Sequence, residues 1–308
     1  MIITDITNIG DPQILLFEGK YYCYATCECA CAPHIGEGFS VWVSEDLESW
    51  SEPIRCFTGT DYWGKSHFWA PEVIYHNGKF VMHYTAKSRE LNSLRIGVAV
   101  SNSPTGPFID VHNAPMFDLG YATIDGSVLV CDEGNFFYYS RDCCENYVDG
   151  VRISDLYCVR LSDDLTEAVG EHIHITRPTY DWEKRSLSIT SKKPTIWNEG
   201  PNVIKLDDKY VMNYSANYYA SNDYAICIAV ADHPMGPWTK PQESNPVLSN
   251  RGDLFGAGHN AFFRGKDGKL YTAFHVQTYP ENPSGDRRTV IGEVIFTQEN
   301  GIIKEEIF

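Results

Sequence analysis

Hydrophobic and polar positions along this 308-residue chain follow a pattern that returns five times. Each copy opens on a polar or acidic stretch, continues with bulky apolar residues, and reaches a turn that is followed by aromatic residues. The copies are residues 11–22, 71–80, 125–137, 199–210 and 259–271. Apolar runs joined to an aromatic run by an Asn-Gly, Glu-Gly or Asp-Gly turn are typical of β-hairpins. The pattern therefore predicts five hairpins.

A second apolar segment follows each hairpin. These segments begin at Phe39, Leu94, Leu156, Tyr224 and Thr289. Several continue into a further turn and edge strand, as in residues 44–50, 103–108 and 233–238. Each copy therefore predicts roughly four strands, as in a propeller blade.

The spacing of the copies predicts the fold. They start 60, 54, 74 and 60 residues apart, near the blade length of β-propellers with loops added. We therefore predict an all-β chain folded as a five-bladed β-propeller. Length alone suggests about two domains, but no Pro/Ser-rich or charged linker interrupts the repeat, so residues 1–308 are expected to form a single domain. Two β-sandwiches, the alternative, would not explain why hairpin and second segment recur in the same order.

Charge and hydropathy exclude two classes of partner. The 25 Lys and Arg against 41 Asp and Glu give a net charge of -16 without a basic cluster. Nucleic acid is not an expected partner, because phosphate backbones are bound by clustered Lys and Arg. No window approaches the ~18 apolar residues of a membrane span, and the first residues lack the basic and apolar regions of an export signal. We therefore expect no membrane association and a cytoplasmic location.

The ten cysteines include a close group, Cys27, Cys29 and Cys31, and the neighbours Cys143 and Cys144. No Cys-x-x-Cys pair has matching downstream ligands, so zinc is weakly indicated. Cysteines within strand patterns behave as small hydrophobes. We expect reduced structural thiols.

Acidic residues recur at the start of the predicted inner strands, which line the central channel of a propeller. Asp11, Asp125 and Glu199 open three of the five copies, and Pro71 and His259 open the other two. Alone, an acid beside Gly or Pro is more often a turn residue. Three acids in one enclosed site raise at least one pKa, so one carboxyl acts as an acid while another stays a base. The repeat therefore indicates a catalytic site.

Five short segments, in order along the chain, include these acids and their neighbours. They are residues 10–12 (Gly-Asp-Pro), 68–72 (Phe-Trp-Ala-Pro-Glu), 123–127 (Thr-Ile-Asp-Gly-Ser), 197–201 (Trp-Asn-Glu-Gly-Pro) and 258–260 (Gly-His-Asn). With these segments the sequence resembles glycoside hydrolase family 43 over almost its whole length. Members are five-bladed propellers that cleave arabinose- and xylose-containing plant polysaccharides with inversion of configuration.

The resemblance implies a role for each acid. Asp11 matches the general base that activates water, Glu199 matches the general acid that protonates the leaving oxygen, and Asp125 matches the carboxylate that raises the pKa of the acid and orients it. An inverting site needs its two working carboxyls ~6.5–9.5 Å apart. The glycines beside these acids, Gly10, Gly126 and Gly200, are expected to let the backbone bend sharply.

Aromatic residues beside the acids are candidate walls of a sugar pocket, because sugar rings stack on aromatic faces. Phe68, Trp69 and Trp197 occupy such positions, with packing between blades as the alternative for each. The resemblance also implies an arginine that reaches toward the sugar or the third carboxylate. Arg287 and Arg288 both precede the last segment, and Arg288 is the substrate-binding candidate.

His259 opens the fifth copy. It therefore lies at the hub, the end of the central channel where the starts of the five inner strands meet. The resemblance implies no cofactor for the chemistry itself, but a histidine there lies near a structural calcium ion in the central channel. Calcium prefers oxygen ligands, so contact through water is expected rather than ligation by the ring. A channel histidine without metal is the alternative.

Two other functions occur on propellers of this kind. Propeller enzymes that cleave fructans and sucrose carry Asn-Asp-Pro-Asn-Gly at the first acid and Arg-Asp-Pro at the middle one. Here Gly10 precedes Asp11, and Cys143 follows Asp142, which disfavours that group. A propeller that binds glycans or proteins without catalysis is the other possibility. All three acids are present, which favours an enzyme.

The identity of the sugar stays open, since α-L-arabinofuranosides and β-D-xylosides place similar atoms around the scissile bond. The absence of an export signal favours small imported oligosaccharides and exo-action. We expect an α-L-arabinofuranosidase that releases terminal arabinofuranose from arabinan or arabinoxylan oligosaccharides. Exo-β-1,4-xylosidase is the next alternative, followed by β-D-galactofuranosidase and endo-arabinanase. The oligomeric state is not predicted.

Overall fold

The computed structural model describes residues 1–27, 38–59, 63–185, 194–283 and 285–308. Within these ranges the regular structure is almost entirely β-strand. Three short 3-10 helices, Cys143–Glu145, Asp181–Glu183 and Gln242–Ser244, are the only helices there. No helix in the described ranges has the length and apolar character that a membrane span requires.

The strands form five blades in chain order. Parallel pairing of the fourth strand of blade three with the first strand of blade four joins these two blades into one hydrogen-bonded sheet, so that the sheets in the described ranges number four. The chain begins with β1 (Ile2–Thr7). Blade one consists of β2 (Gly10–Phe17), β3 (Lys20–Thr26), β4 (Phe39–Ser44) and β5 (Ile54–Phe57). Blade two consists of β6 (Gly64–His76), β7 (Lys79–Ser88), β8 (Leu94–Ser101) and β9 (Ile109–Asp110). Blade three consists of β10 (Thr123–Cys131), β11 (Gly134–Arg141), β12 (Tyr147–Val148), β13 (Val151–Leu161) and β14 (Ala168–Thr176). Blade four consists of β15 (Thr195–Leu206), β16 (Lys209–Ala216) and β17 (Ala225–Ala231). Blade five consists of β18 (Gly258–Arg264), β19 (Leu270–Gln277), β20 (Arg287–Glu299) and β21 (Ile302–Ile307).

The predicted five-bladed β-propeller and its five hairpins are confirmed. The outer edges differ from the expected pattern, and β13 also pairs in parallel with β15. In blade one, residues 44–50 form a turn closed by a single Ser44–Trp50 bridge, and the edge strand is the later β5. In blade two, residues 103–108 are a turn and β9 has two residues; in blade four, single bridges such as Val230 to Thr239 replace a fourth strand. The turns of blades two and four each contain two prolines, which have no N–H to donate to a ladder. The outer edges of these blades are therefore short.

One irregularity recurs near the start of the inner strand of every blade. The inner strands β2, β6, β10, β15 and β18 each change register near their start. At each bulge one residue takes a left-handed backbone conformation. These bulge residues are Asp11, Ala70, Asp125, Gly200 and His259, with φ between 44° and 58°. A bulge bends its strand and re-aims a side chain, so the five side-chain positions converge at one end of the channel.

Polar side chains link successive inner strands two residues after each bulge. Gln13 bonds both backbone groups of Val73 in the next blade. Glu72, Ser127 and Asn202 repeat this link to Val128, Pro201 and Phe262. The fifth equivalent is Ala261, which has no polar side chain. The joint between blades five and one is closed instead by backbone pairing of β1 with β20.

Apolar clusters fill the spaces between blades. One cluster packs Tyr24 and Phe39 of blade one against Tyr84 of blade two. Another packs Ile6 and Ile9 against Phe263 and Ile291 at the closing joint. Cysteines also contribute, and the eight cysteines in the described ranges are free thiols, whereas Cys29 and Cys31 lie outside those ranges.

Replacement of Ile6 by Ala is expected to weaken the closing joint. Ile6 is 3% exposed and lies in the cluster between blades five and one. Loss of its buried methylenes should lower the free energy of unfolding by about 2–5 kcal/mol. Ile3→Ala, on the same strand but 49% exposed, is the matched control, with a change within about 0.5 kcal/mol. Urea unfolding of both variants measures the difference, and equal losses would contradict this role for β1.

Candidate active site

Fifteen residues, three from each inner strand, line the channel. Asp11, Asp125 and His259 are bulge residues of blades one, three and five. The structure thus brings two of the three predicted acids and the predicted hub histidine together. The bulge positions of the other two blades carry Ala70 and Gly200.

Glu199 does not occupy the position equivalent to the other two acids. The bulge residue of blade four is Gly200, so Glu199 lies one residue earlier along its strand. The sequence contained the signal, because Pro201 follows Gly200 as Pro12 follows Asp11. The expectation of three acids at one equivalent position was therefore wrong by one residue in blade four.

The carboxylate of Asp11 is surrounded by hydrogen-bond donors. Its Oδ1 lies 3.0 Å from Nη1 of Arg287 and 3.2 Å from Nδ1 of His259. Its Oδ2 accepts a 2.6 Å hydrogen bond from the Thr26 hydroxyl. Burial alone would raise the pKa of Asp11, but Arg287 and the other donors outweigh it and hold this pKa well below its usual value. Asp11 is therefore ionised throughout the neutral range.

Glu199 is in the opposite state. Burial raises its pKa to about 8; the Tyr224 hydroxyl, which donates to Oε1 at 2.9 Å, opposes this, and the charges of Asp142 and Asp11 add to it. Burial likewise raises the pKa of Asp125 to about 8, opposed by His259 and reinforced by Glu199. At neutral pH the hub therefore combines one ionised carboxylate with carboxyl groups that retain a proton.

Asp142 is a fourth acid near the hub that the sequence analysis did not select. It is 8% exposed and caps the 3-10 helix Cys143–Glu145 by accepting a 2.8 Å hydrogen bond from the Cys144 amide. Its charge raises the pKa of both Glu199 and Asp125. The raised pKa of Glu199, expected from Asp125, is caused mainly by burial.

The arginine at the hub is Arg287. Its Nη1 contacts Asp11, and its guanidinium lies over the Tyr219 ring, 4.8 Å from the ring centre. Arg288, the candidate chosen from the sequence, is the next residue of β20 and therefore points to the other face of the sheet. Side chains alternate between the two faces of β20, and this alternation distinguishes the two arginines.

Gly10 leaves space for this arginine, since a Cβ there would lie 2.1 Å from the guanidinium carbon. Of the three glycines expected to bend the backbone, only Gly200 has a left-handed conformation, with φ +58°. At blades one and three the acids Asp11 and Asp125 take that conformation themselves.

The predicted aromatic walls have different environments. Phe68 is 4% exposed and packs against Phe39, Phe57 and Tyr84, so the structure assigns it to the core rather than to a sugar pocket. Trp69 is partly buried beside His67, at 5.0 Å between ring centres.

Trp197 starts a row of rings that the sequence analysis missed. It is 7% exposed, and its ring centre lies 5.1 Å from that of Tyr218. The ring centres of Tyr218 and Tyr219 are 5.0 Å apart. Tyr219 is 37% exposed and lies over Arg287. The accessible aromatic surface beside Asp11 is therefore that of Tyr219.

The channel residues do not fit a direct calcium shell. No group of three or more His, Cys, Asp or Glu in the described parts of the chain is placed to hold a metal ion. Gln13, Glu72 and Asn202 use side-chain oxygens to accept backbone amides of the next blade. His259 directs Nδ1 toward Asp11. Calcium held through water near His259 remains a prediction from the sequence.

A five-bladed propeller whose hub holds an ionised carboxylate beside protonated carboxyls has the groups that hydrolyse a glycosidic bond. The sequence profile of Glycosyl hydrolases family 43 matches residues 6–302. The chain belongs to this family and is a glycosidase.

Individual relatives cover nearly the whole chain. A β-D-galactofuranosidase of Aspergillus niger is 24% identical over 97% of this chain and 82% of its own length. An extracellular exo-α-(1→5)-L-arabinofuranosidase of Cellvibrio japonicus is 21% identical over 89% of this chain and 80% of its own length. The crystal structure of a thermostable family-43 glycoside hydrolase is 41% identical and superposes with a TM-score of 0.87, covering 98% of this chain and 94% of that one.

Replacement of Tyr224 by Phe is expected to raise the pKa of Glu199 further. The ionised carboxylate would lose a donor while the ring remains, so the alkaline limb of the pH profile of kcat/KM should move upward by about one unit. Tyr214→Phe is the control, because Tyr214 donates at 3.0 Å to Glu183 and makes no contact with Glu199 in the described structure. A downward shift for Tyr224→Phe, or equal shifts in both variants, would contradict the assignment.

Proposed function

We propose that this glycosidase is an exo-acting α-L-arabinofuranosidase that inverts configuration at the anomeric carbon of short arabinan or arabinoxylan oligosaccharides. The observation that carries the reaction type is the contrast between the two carboxyls: Asp11 contacts Arg287 and His259, whereas Glu199 is buried with one neutral donor, the Tyr224 hydroxyl. The relative from Cellvibrio japonicus supports the sugar.

The reaction assigns one proton transfer to each carboxyl group. Protonated Glu199 gives its proton to the glycosidic oxygen as the bond to the anomeric carbon breaks. Ionised Asp11 takes a proton from the water molecule that attacks the opposite face of the sugar. Arg287 and His259 keep Asp11 ionised, although they also make it a weaker base.

Asp125 supports the acid through the backbone. Its Oδ2 accepts a 3.3 Å hydrogen bond from the Gly200 amide, immediately after Glu199. The side chain thus restrains the strand that carries the acid. After Glu199 has lost its proton, the Tyr224 hydroxyl that donates to its Oε1 helps to accommodate the new charge.

The positions of acid and base support inversion. Asp11 and Glu199 belong to blades one and four, which are separated by blade five; Asp11 lines the channel, and Glu199 immediately precedes the channel-lining Gly200. An inverting enzyme needs room for both water and sugar between its carboxyls, about 6.5–9.5 Å, whereas a retaining enzyme holds them about 5–5.5 Å apart.

A second candidate substrate is a β-D-galactofuranoside, favoured by the relative from Aspergillus niger that matches 97% of this chain. Both candidates are five-membered sugar rings and differ in the group outside the ring. The three acids serve either substrate, so the walls of the pocket decide between them.

Hydrolysis of nitrophenyl α-L-arabinofuranoside, β-D-xylopyranoside and β-D-galactofuranoside tests the proposal. We expect the first to be cleaved fastest, and NMR should show β-arabinofuranose as the first product. Asp11→Asn should lower kcat by about 100- to 10,000-fold. Glu199→Gln should impair arabino-oligosaccharides more than the nitrophenyl glycoside, because nitrophenol leaves without a proton.

Retention of configuration would contradict the assigned roles, and faster cleavage of either other glycoside would replace the proposed sugar. Failure of the wild type on all three substrates would identify an endo-arabinanase if the protein cleaves internal bonds of arabinan, and a glycan-binding propeller if it binds arabino-oligosaccharides and cleaves none. Tyr214→Phe serves again as a control for folding defects, since Tyr214 lies outside the proposed site.

A further inference from the structure

A hydrogen bond joins the bulge residue of each blade to the second strand of the preceding blade. In four blades the acceptor is a hydroxyl oxygen. Thr26, Thr85, Ser140 and Ser215 accept the amides of Ala70, Asp125, Gly200 and His259 at 2.7, 3.1, 3.2 and 2.7 Å. In blade one the acceptor is Nδ1 of His275, which receives the amide of Asp11 at 3.1 Å. The base therefore has an imidazole where the other bulges have a hydroxyl.

His275 and the four hydroxyl residues are structural equivalents. Each is paired, within its own blade, with the residue immediately before the bulge. The pairs are Thr26 with Gly10, Thr85 with Trp69, Ser140 with Ile124, Ser215 with Glu199 and His275 with Gly258. The imidazole thus replaces a hydroxyl at one defined position of the repeat.

The imidazole of His275 is a neutral acceptor. Nδ1 receives an N–H and therefore carries no proton, so the ring proton is on Nε2. Burial and the charge of Arg287 hold the pKa of His275 well below its usual value. The ring is fully buried and stacks on Tyr224 with 6° between the ring planes.

A hydroxyl at this position would behave differently, because it carries a hydrogen that it can pass on. Thr26 shows this, since its hydroxyl accepts the Ala70 amide and donates to Oδ2 of Asp11 at 2.6 Å. Nδ1 of His275 lies 3.5 Å from Oδ1 of Asp11 and has no hydrogen to donate. His275 thus holds the backbone of Asp11 without a hydrogen bond to its carboxylate.

We propose that His275 is a positioning residue that fixes the left-handed backbone of Asp11 while leaving its Oδ1 free of a further donor. This role rests on the proposed function of Asp11 as the general base. A left-handed conformation is unfavourable for residues other than glycine and persists where neighbouring contacts hold it. Without the acceptor, the Asp11 amide is buried without a partner and the carboxylate is no longer held in its working position.

Two substitutions separate the acceptor from the bulk of the ring. In His275→Asn, the amide oxygen can occupy the place of Nδ1. In His275→Leu, a side chain of similar size has no acceptor. We expect His275→Leu to lower kcat for the nitrophenyl glycoside by about 10- to 100-fold, as expected for a small misplacement of a catalytic group. Its KM should stay within about threefold of wild type, and His275→Asn should retain most of the activity.

Azide distinguishes a misplaced base from general damage. As an anion it attacks the anomeric carbon without losing a proton, so a carbon–nitrogen bond forms while nitrophenolate leaves with the electron pair of the broken bond. We expect azide to accelerate His275→Leu and Asp11→Asn and to form the glycosyl azide of inverted configuration, without accelerating the wild type. A loss in His275→Leu that azide does not relieve would overturn the proposal.

Amide hydrogen exchange tests the same contact without turnover. The Asp11 amide should exchange faster in His275→Leu than in the wild type, and His275→Asn should restore its protection. Unchanged exchange in His275→Leu would overturn the positioning role even if the enzyme cleaves arabinofuranosides. A third outcome is faster exchange in His275→Leu with a wild type that cleaves no glycoside. That result would confirm the contact but refute the function of Asp11, and with it the catalytic part of the proposal.

Discussion

The hydrogen bond between each bulge amide and the preceding blade is the contact on which the hub depends. It fixes a left-handed residue at the same point of five inner strands. Because a bulge redirects the side chain, the channel mouth receives groups from all five blades within a small volume. The propeller therefore supplies a site whose residues are distant in sequence and held by backbone geometry.

The electrostatics of the hub follow from unequal access to positive charge. Arg287 and His259 both contact Asp11. Glu199 is equally buried but receives one neutral donor, the Tyr224 hydroxyl. Burial penalises the charge of both carboxyls, and only Asp11 has a countercharge in direct contact to offset it. One enclosure thus keeps a base ionised and an acid protonated.

The repeat allowed the fold and the channel positions of Asp11 and Asp125 to be predicted, because period-two strands and turn residues are local signals. Packing between blades was not predictable from them, so Phe68 was expected at the pocket and lies in the core. The choice between Arg287 and Arg288 required knowledge of which residues of β20 face the channel. His275 carried no signal of its own, since its role appears only beside the four equivalent hydroxyls. The position of Glu199 could have been read from Pro201, which matches Pro12.

The closing joint also brings together the two partners of the ion pair at Asp11. β1 leads directly into β2, which carries Asp11, and β1 pairs with β20, which begins with Arg287. The two partners of the Asp11–Arg287 ion pair therefore meet only when the first and last blades meet. Closure of the ring thus completes the charge arrangement of the channel as well as the backbone pairing between its first and last blades.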